Sequence, residues 1–338
     1  MNSEIFEKIL KSINKRIGLH SKCVVFNNKD FIPLEVSRER FCEIGDTAFK
    51  GKVAFLDGGN AEIVRASSFS VNFVRVYYAI YEHARKVLSK RYEFFVLISA
   101  VKTDGKLEYL SETFPVNYEF ENLRFSLNDE TLSSANSNVD ISSVSCLIRR
   151  LAEIKVATDI TETLNSDDVV VLDGTLEANA TFEKDYMSRL ISSASNRSIT
   201  ISALAKSSDL LTDSGDSAQV FLSSLAPFNT WYYPITTTAL FDTYFVKLHE
   251  SSKHVFRFDI NKKSQLQGLL AYLKSTAKDP VFIGYPYPLI HVDRIARVSN
   301  LERDALNIQF IAKLGKDHKR LQSYLNTCNA HSILDSIG

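Results

Sequence analysis

Two aliphatic runs, far apart in the chain, share one shape. Val53-Ala54-Phe55-Leu56 leads into Asp57-Gly58-Gly59, and Val169-Val170-Val171-Leu172 leads into Asp173-Gly174. Continuous apolar runs of this length read as strands buried on both faces. An acid at the end of such a strand stands where open α/β sheets place their ligands. If the two strands are neighbours in one sheet, the carboxylates converge and repel, and a divalent cation relieves the repulsion. Taken singly, each Asp-Gly also reads as a simple turn after a strand.

The rest of the pattern surrounds these strands with further elements. Residues 3–17 carry Ile5, Ile9, Leu10, Ile13 and Ile17 at helical spacing, an amphipathic helix that docks on its own domain or on a partner. A short strand is predicted at 23–26. The first Asp-Gly strand, 52–57, precedes a strand pair at 61–64 and 68–80. A strand at 92–103 returns as 107–115 through the hairpin signal Asp104-Gly105, giving an antiparallel meander over 52–116.

Residues 126–140 are Ser/Asn-rich and predict a loop. Asp140 or Ser142 then caps a helix over 141–164, which leads into the second Asp-Gly strand as an α/β crossover does. The pattern predicts a helix at 176–195, a strand at 199–205 ending at Lys206, and a polar stretch at 207–217. Strands follow at 230–235, 244–248 and 255–260, then a helix at 265–276 and a short strand at 281–284. The YPYP stretch at 285–288 predicts a rigid turn. A helix over 289–300 carries His291 and Asp293, and residues 301–337 read as helical, with a basic run at 313–320 on a solvated face. No linker interrupts this order, which predicts one domain over 1–338 with a core at about 50–300.

Composition narrows the partners. Lys plus Arg and Asp plus Glu number 40 each, so no global field recruits nucleic acid, and any basic surface is local. The four cysteines are scattered without zinc spacing, as in a reduced, cytoplasmic protein. The N-terminal segment has charges among its apolar residues, unlike a signal peptide, and no run of about 18 apolar residues predicts a membrane span.

A meander followed by helix, strand, helix and strand resembles the ribonuclease H-like fold, a mixed central sheet flanked by helices, here with insertions and N- and C-terminal helices. The blocks AFLDGGNAEI, RRLAEIKVA with VVVLDGTLEA, SALAKSSDLLTDSG, FVKLHESSKHVFRFDI and GYPYPLIHVDRIARVS resemble the NurA nuclease family, in that family's order across residues 53–298. The resemblance implies a manganese- or magnesium-dependent DNA nuclease of archaeal type. It would be a 5'-3' exonuclease and single-strand endonuclease, acting as a homodimer with a hexameric HerA ATPase in DNA end resection and double-strand break repair by homologous recombination.

By the same resemblance the catalytic and metal-binding acids are Asp57, Glu153 (framed by Arg150 and Ala157) and Asp173. The last motif offers Asp293, with His291 two residues earlier as the other candidate. Two metal ions about 3.5–4 Å apart activate a water and stabilise the leaving oxygen of a phosphodiester, and hard cations take carboxylate oxygens. A shared site requires the Asp57 and Asp173 carboxylates within about 8 Å.

Other readings stand beside these. Glu153 alone reads as a helix acid paired with Arg149 or Lys155. His291 alone reads as a packed or capping histidine. Lys206 lies over a phosphate or in solvent. Arg150 and Arg257 complete the expected nucleic-acid contacts; Arg257, between Phe256 and Phe258, suits an edge-strand surface or single-stranded DNA. An actin-like or sugar-kinase ATPase would also carry two Asp-and-Gly loops, but with a residue between Asp and Gly, and glycine is sparse after residue 215. A non-catalytic scaffold of a DNA translocase would not need the intact set of acids.

Overall fold

The computed structural model describes residues 2–15, 21–25, 34–133, 139–208, 210–314 and 321–325. Among the described residues there are fourteen strands: β1 Cys23–Val25, β2 Leu34–Glu35, β3 Cys42–Glu43, β4 Lys52–Arg65, β5 Phe69–Glu82, β6 Arg85–Thr103, β7 Lys106–Pro115, β8 Leu123–Ser126, β9 Val169–Asp173, β10 Thr200–Ala205, β11 Leu211–Thr212, β12 Trp231–Thr237, β13 Asp242–Lys247 and β14 Phe256–Ile260. The helices are α1 Asn2–Asn14, α2 Ile141–Thr161, α3 Glu183–Asn196, α4 Ala218–Leu225, α5 Leu266–Thr276, α6 Tyr287–Ala296 and α7 Asn300–Leu314.

Eleven strands form one mixed sheet in the order β3-β12-β13-β14-β10-β9-β4-β5-β6-β7-β8, and β11-β1-β2 form a small second sheet. This is the α/β architecture expected of a ribonuclease H-like fold, a large mixed sheet flanked by helices. The chain divides into two compact units.

One unit holds Lys52–Asp168, Glu177–Ile199 and Leu289–Gly338. Its strands β4 to β8 pair antiparallel in sequence order. The β6–β7 turn follows from Asp104-Gly105, both at positive φ (49° and 83°), as a two-residue hairpin of matching twist requires. Helix α2 starts where Asp140 accepts the Ser142 N–H at 2.7 Å, which resolves the cap in favour of Asp140. Its buried face includes Ile148, Leu151, Ala152 and Val156. Helix α7 lays Leu306 and Phe310 on Ile63, Val64 and Phe73. Arg75, buried in β5, bonds Glu93 at 2.7 Å and also bonds Glu302 of α7.

The other unit holds Met1–Gly51, Val169–Leu176 and Thr200–Pro288. Here β9 and β10 run parallel, with Val171 opposite Ser202, and β10, β14, β13, β12 and β3 continue antiparallel. Trp231, Tyr233, Phe245, Phe41 and Leu222 pack one of its cores.

Four expectations change. Strand β4 does not end at Asp57; it runs on through both glycines to Arg65, absorbing the strand predicted at 61–64. Residues 281–284 are a turn: Asp279 accepts the Val281 N–H at 2.8 Å and Gly284 sits at φ +95°. The helix predicted from 176 begins at Glu183. The apolar stripe of α1 is exposed rather than docked on its own domain, from Ile13 at 43% to Phe6 at 60%. The basic run is described only to residue 314; its remainder and residues 326–338 lie outside the described residues.

Candidate metal centre

Asp57 sits mid-strand in β4, opposite Tyr77 of β5, which in turn lies opposite Arg91 of β6. The Asp57 Oδ1 accepts the Gly58 N–H at 2.7 Å. Alternation along a strand puts Asp57 and Gly59 on one face and Gly58 on the other. The two glycines are there for close approach. A Cβ on Gly58 would fall 2.5 Å from Glu153 Oε1, and a Cβ on Gly59 would overlap the backbone of Ala296, 2.9 Å from its carbonyl carbon. So α2 brings Glu153 to the Gly58 face, while the last turn of α6 rests on the Asp57 face. Asp293 precedes Ala296 by three residues and shares its side of the helix.

His291 leaves α6 in a different direction from Asp293, about 200° around the helix, and meets β5 tyrosines on the Asp57 face of the sheet. Its Nδ1 lies 2.9 Å from the Tyr81 hydroxyl, and its ring meets Tyr77 edge-on at 5.6 Å. Burial pushes its pKa down, and the positive charges of Lys86 and Arg294 push it further the same way.

Asp173 closes β9 as expected. Its Oδ2 lies 2.7 Å from Lys206 Nζ, and its Oδ1 accepts a 3.3 Å bond from the Tyr285 hydroxyl. Lys206 also lies over the Tyr285 ring, 5.6 Å from its centroid. Lys206 is therefore exposed but paired; it faces an acid of the candidate site. Sequence reasoning takes the YPYP stretch for a turn and misses Tyr285. The available signal is a tyrosine directly before proline at the entry to the helix that carries Asp293.

Among the described residues, Asp57, Asp173 and Asp293 form a group able to hold a metal ion, with one oxygen from each within 4.8 Å of the others. Oxygens around one small divalent ion at about 2.1 Å are roughly 3–4 Å apart, so a small side-chain adjustment closes this set on a cation. The donor chemistry, three hard carboxylate oxygens, fits magnesium or manganese. Glu153 is not in the group. It is 3% exposed, bonded by Arg149 and by Arg150 at 3.4 Å, and Arg149 also donates to the Gly58 carbonyl at 3.1 Å.

Two residues expected to contact nucleic acid make ion pairs within the fold. Arg150 lies between Glu153 and Glu183, so its charge is already matched. Arg257 is on an interior strand, 7% exposed, and bonds Asp259 at 3.0 and 3.1 Å. Burial pushes the Asp259 carboxyl up, against the pull of Arg257. A buried arginine needs such a partner, and this pair is a structural element of the sheet interior.

The NurA domain family model matches residues 51–298. No curated protein matches the chain. Among solved structures, the NurA nuclease from Sulfolobus solfataricus is similar over 82% of this chain and 88% of that one, at 12% identity and a TM-score of 0.52. The catalytic domain of human Endonuclease V is similar over 82% and 92%, at 9% identity and a TM-score of 0.39. Ciona intestinalis Endonuclease V in complex with DNA is similar over 77% and 91%, at 13% identity and a TM-score of 0.37. At these identities the likeness concerns the fold alone.

Proposed function

The chain belongs to the NurA domain family, and we propose that it is a divalent-metal-dependent DNA nuclease whose cation is held by Asp57, Asp173 and Asp293. The observation that carries this reading is the group of three carboxylates on two strands and a helix, with oxygens within 4.8 Å of one another. Rigid elements suit a site that must hold its geometry through a reaction. A divalent cation bound there supplies charge stabilisation at the phosphoryl oxygens and an acidified water.

The chain's own residues have distinct tasks in this reading. Asp57 gives a fixed acid, since its Oδ1 accepts the Gly58 N–H within the strand. Tyr285 orients Asp173 through the bond to Oδ1, in the way outer hydrogen bonds orient metal-ligating groups. Lys206, 2.7 Å from Asp173 Oδ2, is a cation that would meet a phosphate beside the acids that would hold the metal. Glu153 and His291 act as positioning residues: Glu153 seats α2 on Gly58, and His291 holds α6 to Tyr81.

The finer assignments rest on the NurA resemblance: manganese as the metal, 5'-3' exonuclease and single-strand endonuclease activity, a homodimer docked on a hexameric HerA-type ATPase, and a cytoplasmic role in DNA end resection and double-strand break repair. Among the described residues no helix is long and apolar enough to cross a membrane. The actin-like alternative loses its main support, because a phosphate loop must turn after its acid and β4 instead continues for eight residues beyond Asp57, to Arg65.

Labelled single- and double-stranded DNA incubated with the protein and manganese is expected to be cleaved, and EDTA is expected to stop it. ATP hydrolysis without DNA cleavage, or DNA binding without cleavage in manganese or magnesium, would reject the reading.

A further inference from the structure

The β5–β6 hairpin extends beyond its neighbours. Pairing of β6 with β7 begins at Phe94, so residues 85–90 pair with β5 alone, and the Arg91 carbonyl accepts from the Asn117 side chain at 3.0 Å. Ten consecutive residues, 82–91, are exposed. Four of them are cationic: Arg85, Lys86, Lys90 and Arg91.

The pairing register sorts these four by face. Arg91 lies opposite Tyr77, and Tyr77 lies opposite Asp57, so Arg91 projects on the Asp57 face. Its Cα is two strand spacings from that of Asp57, roughly 10 Å. Lys86 lies opposite Tyr81, whose hydroxyl meets His291 of α6, so Lys86 projects on this face too. Lys86 and Arg91 are five positions apart, an odd offset that would send them to opposite faces of a regular strand. The register shift between Ile80 and Tyr81 corrects this: Leu88 pairs with Ile80 and Lys86 with Tyr81, leaving Val87 as the extra residue. Bulges re-aim side chains in this way. Lys90 opposite Tyr78, and Arg85 opposite Glu82, project on the other face.

Helix α6 adds a third cation. Arg294 is exposed and directly follows Asp293 on the helix whose last turn rests against Gly59 on the Asp57 face. The acids of the candidate site repel a polyanion, and this cationic strip flanks Asp57 and Asp293 on their own face. We propose that Lys86, Arg91 and Arg294 form a phosphate-binding strip that carries a DNA strand toward Asp57 and Asp293. This rests on the nuclease reading above and names the surface that holds its substrate. Charges on an uncovered strand also discourage edge pairing, but that role makes no distinction between the two faces.

The test uses the two faces against each other. Lys86→Gln/Arg294→Gln and Arg85→Gln/Lys90→Gln each remove two positive charges, one pair from each face. The first pair also leaves the ion pair of Arg91 with Glu93 (3.3 Å) intact. Anisotropy of fluorescein-labelled oligo-dT in EDTA, over a salt series, reads affinity and salt slope. The strip pair is expected to bind about tenfold more weakly, with the slope reduced by about 1.4, two contacts at about 0.7 each on a single strand. The opposite pair is expected to match wild type. Adding Arg91→Gln to the strip pair should lower the slope again, provided the melting temperature is kept. Equal losses in both pairs, or none in the strip pair, would overturn the strip. Wild-type cleavage in manganese, measured in parallel, separates that failure from failure of the nuclease reading, which would show as no cleavage at all.

Discussion

Asp57→Asn leaves a folded protein that binds DNA but cleaves it slower by about two to three orders of magnitude, the scale of losing one preorganised electrostatic contact. The substitution keeps the shape of the side chain, and its Oδ1 still accepts the Gly58 N–H that Asp57 holds at 2.7 Å. What changes is charge. The three-carboxylate group loses one of its negative ligands, so a divalent cation binds more weakly. The metal-free fold is not harmed, because one source of repulsion between neighbouring acids is gone. DNA affinity in EDTA holds or rises, since less negative charge meets the phosphates. Initial cleavage rates in manganese and melting curves with and without manganese check all three statements. Wild type should gain melting temperature from the ion, and the variant should gain less. Equal cleavage by the two proteins would remove Asp57 from the site.

Gly59→Ala costs about 1–3 kcal/mol of stability and weakens the metal site, although residue 59 is not itself a ligand. Its Cβ would overlap the Ala296 carbonyl, 2.9 Å from the carbonyl carbon and 3.2 Å from the Arg297 Cα. All three atoms are backbone, so no rotamer change relieves the overlap. Strand β4 or the end of α6 must move, and with it Asp293 moves relative to Asp57. The Arg297 carbonyl also accepts a 3.3 Å bond from Arg75, so the strain reaches the Arg75–Glu302 anchor of α7. Gly58→Ala meets the carboxylate end of Glu153 instead, a side chain with some freedom, and should cost less. Chemical denaturation measures the stability difference, and the manganese-induced rise in melting temperature measures the site. Wild-type values for both in Gly59→Ala would mean that α6 is not seated on β4 as described.

The local signals in the sequence are followed closely by the fold. The Asp104-Gly105 hairpin, the Asp140 cap, the apolar stripe of α2 and the all-aliphatic β9 each follow from a few adjacent residues. The errors arise where tertiary packing decides. Asp57-Gly58-Gly59 has turn composition, but these glycines clear space for Glu153 and the backbone of Ala296, which only the folded chain reveals. Val281-Phe282-Ile283 has strand propensity, yet Asp279 and Gly284 bend it, and Phe282 stacks on Tyr285 at 5.2 Å.

At the site, Asp57 and Asp173 were readable from their matched strands, and both belong to a group of three acids able to hold a metal ion. The choice between Asp293 and His291 follows from helical spacing once Ala296 is known to face Gly59. The partner of Arg257 was also legible: Asp259, two residues on in the same strand, shares its face and pairs with it. Tyr285 was missed because a tyrosine beside proline carries no charge pattern to mark it.

Crystals of the protein equilibrated with manganese and measured at the manganese absorption edge test the central claim most directly. The account predicts an anomalous peak bounded by carboxylate oxygens of Asp57, Asp173 and Asp293, with Lys206 withdrawn from Asp173. Manganese bound elsewhere, or no peak among these three carboxylates at a concentration that supports cleavage, would contradict it.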